Sequence, residues 1–314
     1  MTDQGVGMTP APIILQTLIR ARRRRLGARA LAGYAFVAPS LLFLLIFALG
    51  PLLFTFYVSL HEWNMLTPVT AMPFRGLENY RYLLFEDPLF RQTFLNTLAF
   101  ALGNVTLSTV FGLGVALLLN TRVAGRTIWR AIYFLPYVTS SVAVAIVWAN
   151  LYHPSYGLLN GLLELLQQPP QRFLASLEQA MPSVIAVAVW HSVGYYMVLF
   201  LAGLQSIPAE LYEAARVDGA DPWRSFWLIT LPLLRPTLLF VIVINTLASL
   251  QVFDLVFILT NGGPVNATTT LVLHMYRTAF EFTRMGRATA MAMLLFVVVF
   301  AITLIQLHLL RERE

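Results

Sequence analysis

Cysteine is absent from this 314-residue chain, and so is lysine: all 21 basic residues are arginine. Without cysteine there is no disulfide framework and no thiolate metal site. Without lysine a phosphate-cradling G-x-x-x-x-G-K-[ST] loop cannot form, so any ATP that drives this protein is bound by another chain. Charge is scarce too, at 11% of residues, where soluble domains carry roughly 25%. A water-exposed globule of this composition would lack a polar surface. His61, His153, His191, His274 and His308 are scattered, with no H-x-x-x-H or carboxylate spacing, and no metal site is expected.

What is present is long apolar sequence. Asp, Glu, Lys and Arg are missing from 30–61, 92–121, 131–163, 179–209, 236–253 and 288–310. Each gap holds the roughly 20 apolar residues that cross a ~30 Å hydrocarbon layer as a helix. Their length excludes barrel strands of about 10 residues. The expectation is an all-α integral membrane protein with helices at 31–60, 93–119, 129–152, 182–204, 233–255 and 288–310. The first apolar run is too long for a signal-peptide core and reads as an uncleaved helix. Six arginines lie between positions 20 and 29, which places the N-terminus in the cytoplasm. Arg122, Arg126 and Arg130, without acids, place the second connection there as well. Six crossings return the chain to the cytoplasm. The organisation is a basic segment at 1–28, one membrane domain at 29–310 and a short tail at 311–314. The net charge of +6 sits beside crossings, so it orients helices against membrane lipid, and no nucleic acid partner is expected.

One stretch interrupts the apolar pattern. Residues 205–232 carry Ser206 as a cap, Pro208 in a first turn, Glu210 and Glu213 near the positive helix end and Gly219 as a left-handed stop. Asp221 and Pro222 then begin a second helix containing Trp223, Phe226 and Trp227, which runs to Pro232 at the membrane surface. This predicts a rigid two-helix elbow. An amphipathic connector lying on the membrane is the plainer reading of the same residues.

Glu213-Ala214-Ala215, Gly219, Ile229, Leu231 and Pro232 match the E-A-A–x3–G–x9–I–x–L–P signature of the membrane subunits of ABC importers. With "FLPY" at 134–137, "GLQSIPAELYEAARVDGA" at 203–220 and "FDLVFILTNGGP" at 253–264, the chain resembles carbohydrate permeases of the maltose and glycerol-3-phosphate type, in particular their F-type subunit. The resemblance covers about 30–310. It implies a type I permease architecture with a cytoplasmic coupling helix, in a bacterial or archaeal cytoplasmic membrane. Glu213, Ala214, Ala215, Asp218, Gly219, Ile229, Leu231 and Pro232 would then engage an ATPase subunit. The implied partners are a second permease, an ATPase dimer holding ATP and Mg, and an extracytoplasmic binding protein. No cofactor and no catalytic residue is implied on this chain.

Three crossings carry polar pairs at helical spacing: Tyr137 with Ser141, Ser192 with Tyr195, and Asn245 with Ser249. Each pair is expected on one helix face turned away from lipid. Together with His191 they would line a path of hydroxyls, an amide and aromatic rings suited to a sugar, and the resemblance points to the same helices. Taken singly, each also fits an interhelical bond or simple packing. Asn261-Gly262-Gly263-Pro264 reads as a turn, and the resemblance puts it near the docked binding protein. Arg277, Arg284 and Arg287 could form a phosphate site, but helix anchoring is the plainer reading. A secondary transporter driven by an ion gradient is the rival reading, but it predicts ionisable residues within the crossings, and the six gaps hold no Asp, Glu, Lys or Arg. An intramembrane enzyme would need a nucleophile and base; Ser192 and His191 are adjacent and point about 100° apart on a helix.

Overall fold

The structure, a computed structural model, describes residues 33–121 and 124–311. The basic segment 1–28, Arg122 and the tail after Arg311 lie outside the described residues. Contacts divide the chain between Tyr57 and Val58, and the two parts are described separately.

The first part is most of α1 (Gly33–Ser59), an apolar helix long enough to cross a membrane. Phe36, Phe43 and Phe47 are exposed along it, as suits a helix that meets hydrocarbon.

The second part is helical throughout its regular structure, with no strand among the described residues. A short helix α2 (Glu78–Arg81) leads to α3 (Pro88–Asn120). Asp87 starts α3 five residues before the charge-free gap suggests, because its Oδ1 accepts from the N–H groups of Leu89 and Phe90 at 2.9 and 3.3 Å, with Pro88 in the first turn. Next come α4 (Arg126–Val138) and α5 (Ser141–Leu151), then a surface helix α6 (Leu158–Leu165) and α7 (Ala180–Gln205). The loop helix α8 (Ala209–Val217) precedes α9 (Pro222–Leu250), and α10 (Asp254–Leu259), α11 (Leu271–Tyr276) and α12 (Met285–Arg311) complete the fold.

Two expectations change. The third crossing is not one helix: α4 and α5 meet at a 95° bend. Pro136 lacks an N–H, and Thr139 and Ser140 adopt extended ψ values of 143° and 129°. The groups freed at the bend find local partners: Thr139 Oγ1 donates to the Leu135 carbonyl at 3.1 Å, and His191 Nε2 lies 3.3 Å from the Thr139 carbonyl. Such a break survives inside a membrane only where side chains satisfy it in this way. The second change is that the helix begun at Pro222 does not stop at Pro232. It passes through a wide turn at Phe226–Thr230, where the Leu231 N–H bonds back to the Phe226 carbonyl, and continues to Leu250. A wide turn just before a proline accommodates the ring that would otherwise clash with the preceding turn.

Three buried clusters hold this part together. Phe100, Val144, Val184, Val187 and Val256 join α3, α5, α7 and α10. Ala116, Met197, Phe200, Leu204, Leu234 and Val241 join α3, α7 and α9 toward the 205–221 loop. Leu83, Phe90, Leu250, Leu271 and Met291 join the opposite end.

Candidate translocation and coupling site

The 205–232 region is an exposed helix on a braced joint. In α8, Glu213 and Ala214 are exposed and Ala215 is half-buried. Glu213 has no ion-pair partner among the described residues. Gly219 ends the helix at φ +76°, and the Ala220 N–H closes the end on the Ala215 carbonyl at 2.8 Å, a left-handed stop that a side chain would strain. Asp218 lies exposed just before it. Ser206 does not cap: its Oγ donates back to the Gly203 carbonyl at 2.7 Å, and Pro208 holds the cap position. Asp221 does cap, accepting from the Arg224 N–H at 2.6 Å.

The brace is Tyr212, whose hydroxyl lies 3.0 Å from the buried Thr230 Oγ1. Tyr212 and Ile229 both pack on the cluster around Phe200 and Leu204. α8 is therefore joined to α7 and α9 by direct contact and not through a slack linker. Trp223 and Trp227 remain exposed beside it, as do Pro232 and, partly, Leu231. Tyr212 was not singled out by sequence; its position one residue before Glu213 on an amphipathic helix was the available signal.

Deeper in the bundle the polar side chains fall into two groups. Tyr137 and Tyr195 stack with centroids 4.4 Å apart and planes 12° apart, and His191 lies 5.9 Å from Tyr137. Tyr137 keeps 39% of its surface exposed, so the stack is not sealed inside this chain. They approach because Gly194 lets α7 touch the α4 backbone; a Cβ there would overlap the Tyr133 carbonyl oxygen and sit 2.9 Å from Phe134 Cα. Ser141 does not share a face with Tyr137, because the bend separates them; its Oγ donates to Asp254 Oδ2 at 3.0 Å.

The second group is bonded internally, apart from Asn245 Nδ2, which has no partner among the described residues. Asn104 Nδ2 donates to Asn245 Oδ1 at 3.1 Å and to Ser249 Oγ at 2.9 Å, while Ser108 Oγ reaches Asn104 Oδ1 at 3.1 Å and Ser192 Oγ at 3.0 Å. Asn245 and Ser249 are 0% and 1% exposed. This network joins α3, α7 and α9. Asn104 and Ser108, four apart within the second crossing, carried the same signal as the pairs that were singled out.

The 261–264 turn is held firmly. Arg277 Nη2 donates to the Asn261 carbonyl at 2.6 Å and to its Oδ1 at 3.0 Å, and Asn96 Nδ2 donates to the carbonyls of Asn266 and Thr269 at 2.9 and 3.0 Å. Arg277 thus pins a loop instead of anchoring a span. Asn261 is exposed, Gly262 is buried at φ +77° and Gly263 and Pro264 are half-buried. Val265, 81% exposed, forms the tip.

Residues 108–313 match the family described as binding-protein-dependent transport system inner membrane component. The chain belongs to that family. This permease is 37% identical over 285 residues to the trehalose/maltose transport system permease protein MalF of Thermococcus litoralis, covering 90% of this chain and 94% of that one. It is 33% identical over 285 residues to the multiple sugar-binding transport system permease protein MsmF of Streptococcus mutans, with 90% and 96% covered. Among solved structures, a bacterial alginate ABC transporter in complex with an alginate pentasaccharide-bound periplasmic protein matches with a TM-score of 0.78 and 27% identity, covering 90% of this permease and 95% of that chain. The fold is therefore that of an ABC importer permease, and the protein is an inner-membrane component of a binding-protein-dependent transport system.

Proposed function

We propose that this permease is the F-type membrane subunit of an ATP-driven importer of a sugar or related polyol. The observation that carries the coupling half is the exposed Glu213–Ala214 face of α8, braced to two crossings through Tyr212, Thr230 and Ile229. That is the build of a part pushed from outside. Small alanines allow close approach, and the exposed Glu213 carboxylate suits a basic residue of an ATPase subunit. With no lysine in the chain, ATP and Mg belong to that partner. The 205–221 loop and both termini face the cytoplasm by the arginine distribution.

For the cargo, the sugar names of the relatives and the stacked Tyr137 and Tyr195 rings point the same way. Aromatic faces suit the apolar face of a sugar ring, while the His191 ring nitrogen that does not face the Thr139 carbonyl offers a hydrogen bond. The Asn104–Asn245–Ser249–Ser192 network lies behind that surface as its frame. A second, homologous permease would complete the path, and a binding protein would dock near Asn261, Gly262, Gly263, Pro264 and Val265. In the mechanism, closure of the ATPase dimer moves α8, α7 and α9 turn with it, and the opening alternates between the two sides of the membrane.

The test is uptake in lipid vesicles containing the chain and its co-expressed partners. Glu213→Arg is expected to lower ATP-driven uptake more than 10-fold, since the reversed charge loses a charge-assisted contact, with the helix content unchanged. Uptake equal to the unaltered protein would remove the coupling role.

A further inference from the structure

At the end opposite the 205–221 loop, the segment after Ser59 and the turn before α12 enclose a cleft of about 1120 Å³. Its walls are fixed. Asn79, buried, donates to the Ser59 and His61 carbonyls at 2.9 and 3.0 Å, and Arg75 donates to Glu62 at 2.8 and 3.0 Å. Gly286 allows α12 to begin against His61, because a Cβ there would overlap the His61 carbonyl oxygen. The site is thus formed before anything binds.

Its charges are unevenly committed. Arg75 pairs with Glu62 and Glu78, and Arg81 lies 3.7 Å from Glu86. Arg284 and Arg287 also line the cleft, and neither has an ion-pair partner among the described residues. Arg287 lies with Cζ 3.7 Å over the Tyr82 ring. Stacking uses the guanidinium face and leaves its edge N–H donors for a planar or tetrahedral oxyanion. Four arginines against Glu62, Glu78 and Glu86 leave a net charge of +1, matched to a singly charged anion and poorly to a doubly charged one.

Position decides the class of ligand. Arg284 and Arg287 flank the first residue of α12, which then runs as an apolar span, so the cleft lies at the boundary between hydrocarbon and water. Trp63, Tyr82 and the exposed Phe282 line it, the residue types that collect at headgroup depth. We propose that this cleft binds the phosphodiester headgroup of a membrane lipid between Arg284 and Arg287. The assignment is independent of the transported substrate.

Native mass spectrometry tests it on the full-length chain with whichever subunits copurify, titrated with dioleoylphosphatidylglycerol. One tightly retained lipid should be lost, or its apparent affinity lowered about 10-fold or more, in the Arg284→Gln/Arg287→Gln protein and in part in Arg284→Gln alone, an exposed position where folding is undisturbed. Arg91→Gln, exposed and outside the cleft, should retain it. Dioleoylglycerol, which lacks phosphate, should not be held, and inorganic phosphate in 100-fold excess over lipid should not displace the lipid. Equal retention by the double variant overturns the site. Displacement by inorganic phosphate, or equal binding of dioleoylglycerol, overturns the headgroup assignment.

Discussion

Tyr195 and Ser249 represent two fates of a polar side chain within hydrocarbon. Tyr195 stacks on a ring that is itself exposed, whereas Ser249 is 1% exposed and bonded to Asn104. Tyr195→Ala is expected to raise the KM for uptake several-fold while the unfolding midpoint in detergent moves little. Ser249→Ala is expected to act in the opposite sense, lowering stability by about 0.6–1.7 kcal/mol, the range of interhelical hydrogen bonds in membranes, with KM nearly constant. A raised KM and unchanged stability for Ser249→Ala would place that hydroxyl on the substrate instead. His274 supplies a pH dependence. It is 5% exposed with Nε2 3.3 Å from Asp87 Oδ2. Burial lowers its pKa and nearby Arg277 lowers it further, against the opposing pull of Asp87. Below about pH 6.5, the ordinary histidine value, the unfolded chain binds a proton that the folded chain resists. Stability should therefore fall as pH drops from that value toward the depressed folded pKa, and level off below it. His274→Gln, which keeps an N–H for Asp87 and cannot titrate, should flatten thermal unfolding midpoints between about pH 7 and pH 5. An unchanged slope would assign the dependence to another group.

At the scale of elements, backbone contact shapes the site. The α4–α7 approach depends on Gly194, and the stacked tyrosines depend on that approach. Gly194→Leu would force the helices apart, with overpacking of at least about 1–3 kcal/mol. Both the unfolding midpoint and uptake are expected to fall, whereas Gly114→Leu, with open space around its Cβ, should leave both near their original values. Loss of neither property at Gly194 would mean that the bend can relax. Helix starts were legible wherever a side chain caps them. Asp221 and Pro222 mark α9, and Asp87 with Pro88 marks α3, although the charge-free gap drew attention to position 93 instead. The bend after Pro136 was less legible, because proline alone is compatible with a tolerated kink. At the 95° break the partner of the Thr139 carbonyl is His191, 52 residues away.

At the scale of the whole molecule, the distribution of charge sets the architecture. A segment without Asp, Glu, Lys or Arg over 18 or more residues has no cheap place in water, and each of the six gaps overlaps a helix or helix pair apolar enough to span a membrane. Caps and left-handed stops are equally local, so the exposed form of α8 was readable from residues 206 to 222. Spacing of three or four also told which polar residues share a face when the helix is continuous, as it is for Asn245 and Ser249.

The sequence by itself determined the membrane class, where along the chain the apolar segments lie, the loop helix and the family signature, because hydropathy and capping are set by residues close together in the chain. Only the tertiary structure decided which polar faces bond to one another and which stay exposed. It also decided that Tyr137 and Ser141 part company at a bend, and that Arg284 and Arg287, with no ion-pair partner among the described residues, line a cleft with residues as distant in sequence as Glu62 and Tyr82. Polar side chains in hydrocarbon favour partners, and which ones lie within reach is set by where helices pack closely, as α3 and α7 do at Gly103 and Gly112 and α7 and α9 do at Gly203, a long-range packing fact that local spacing does not encode.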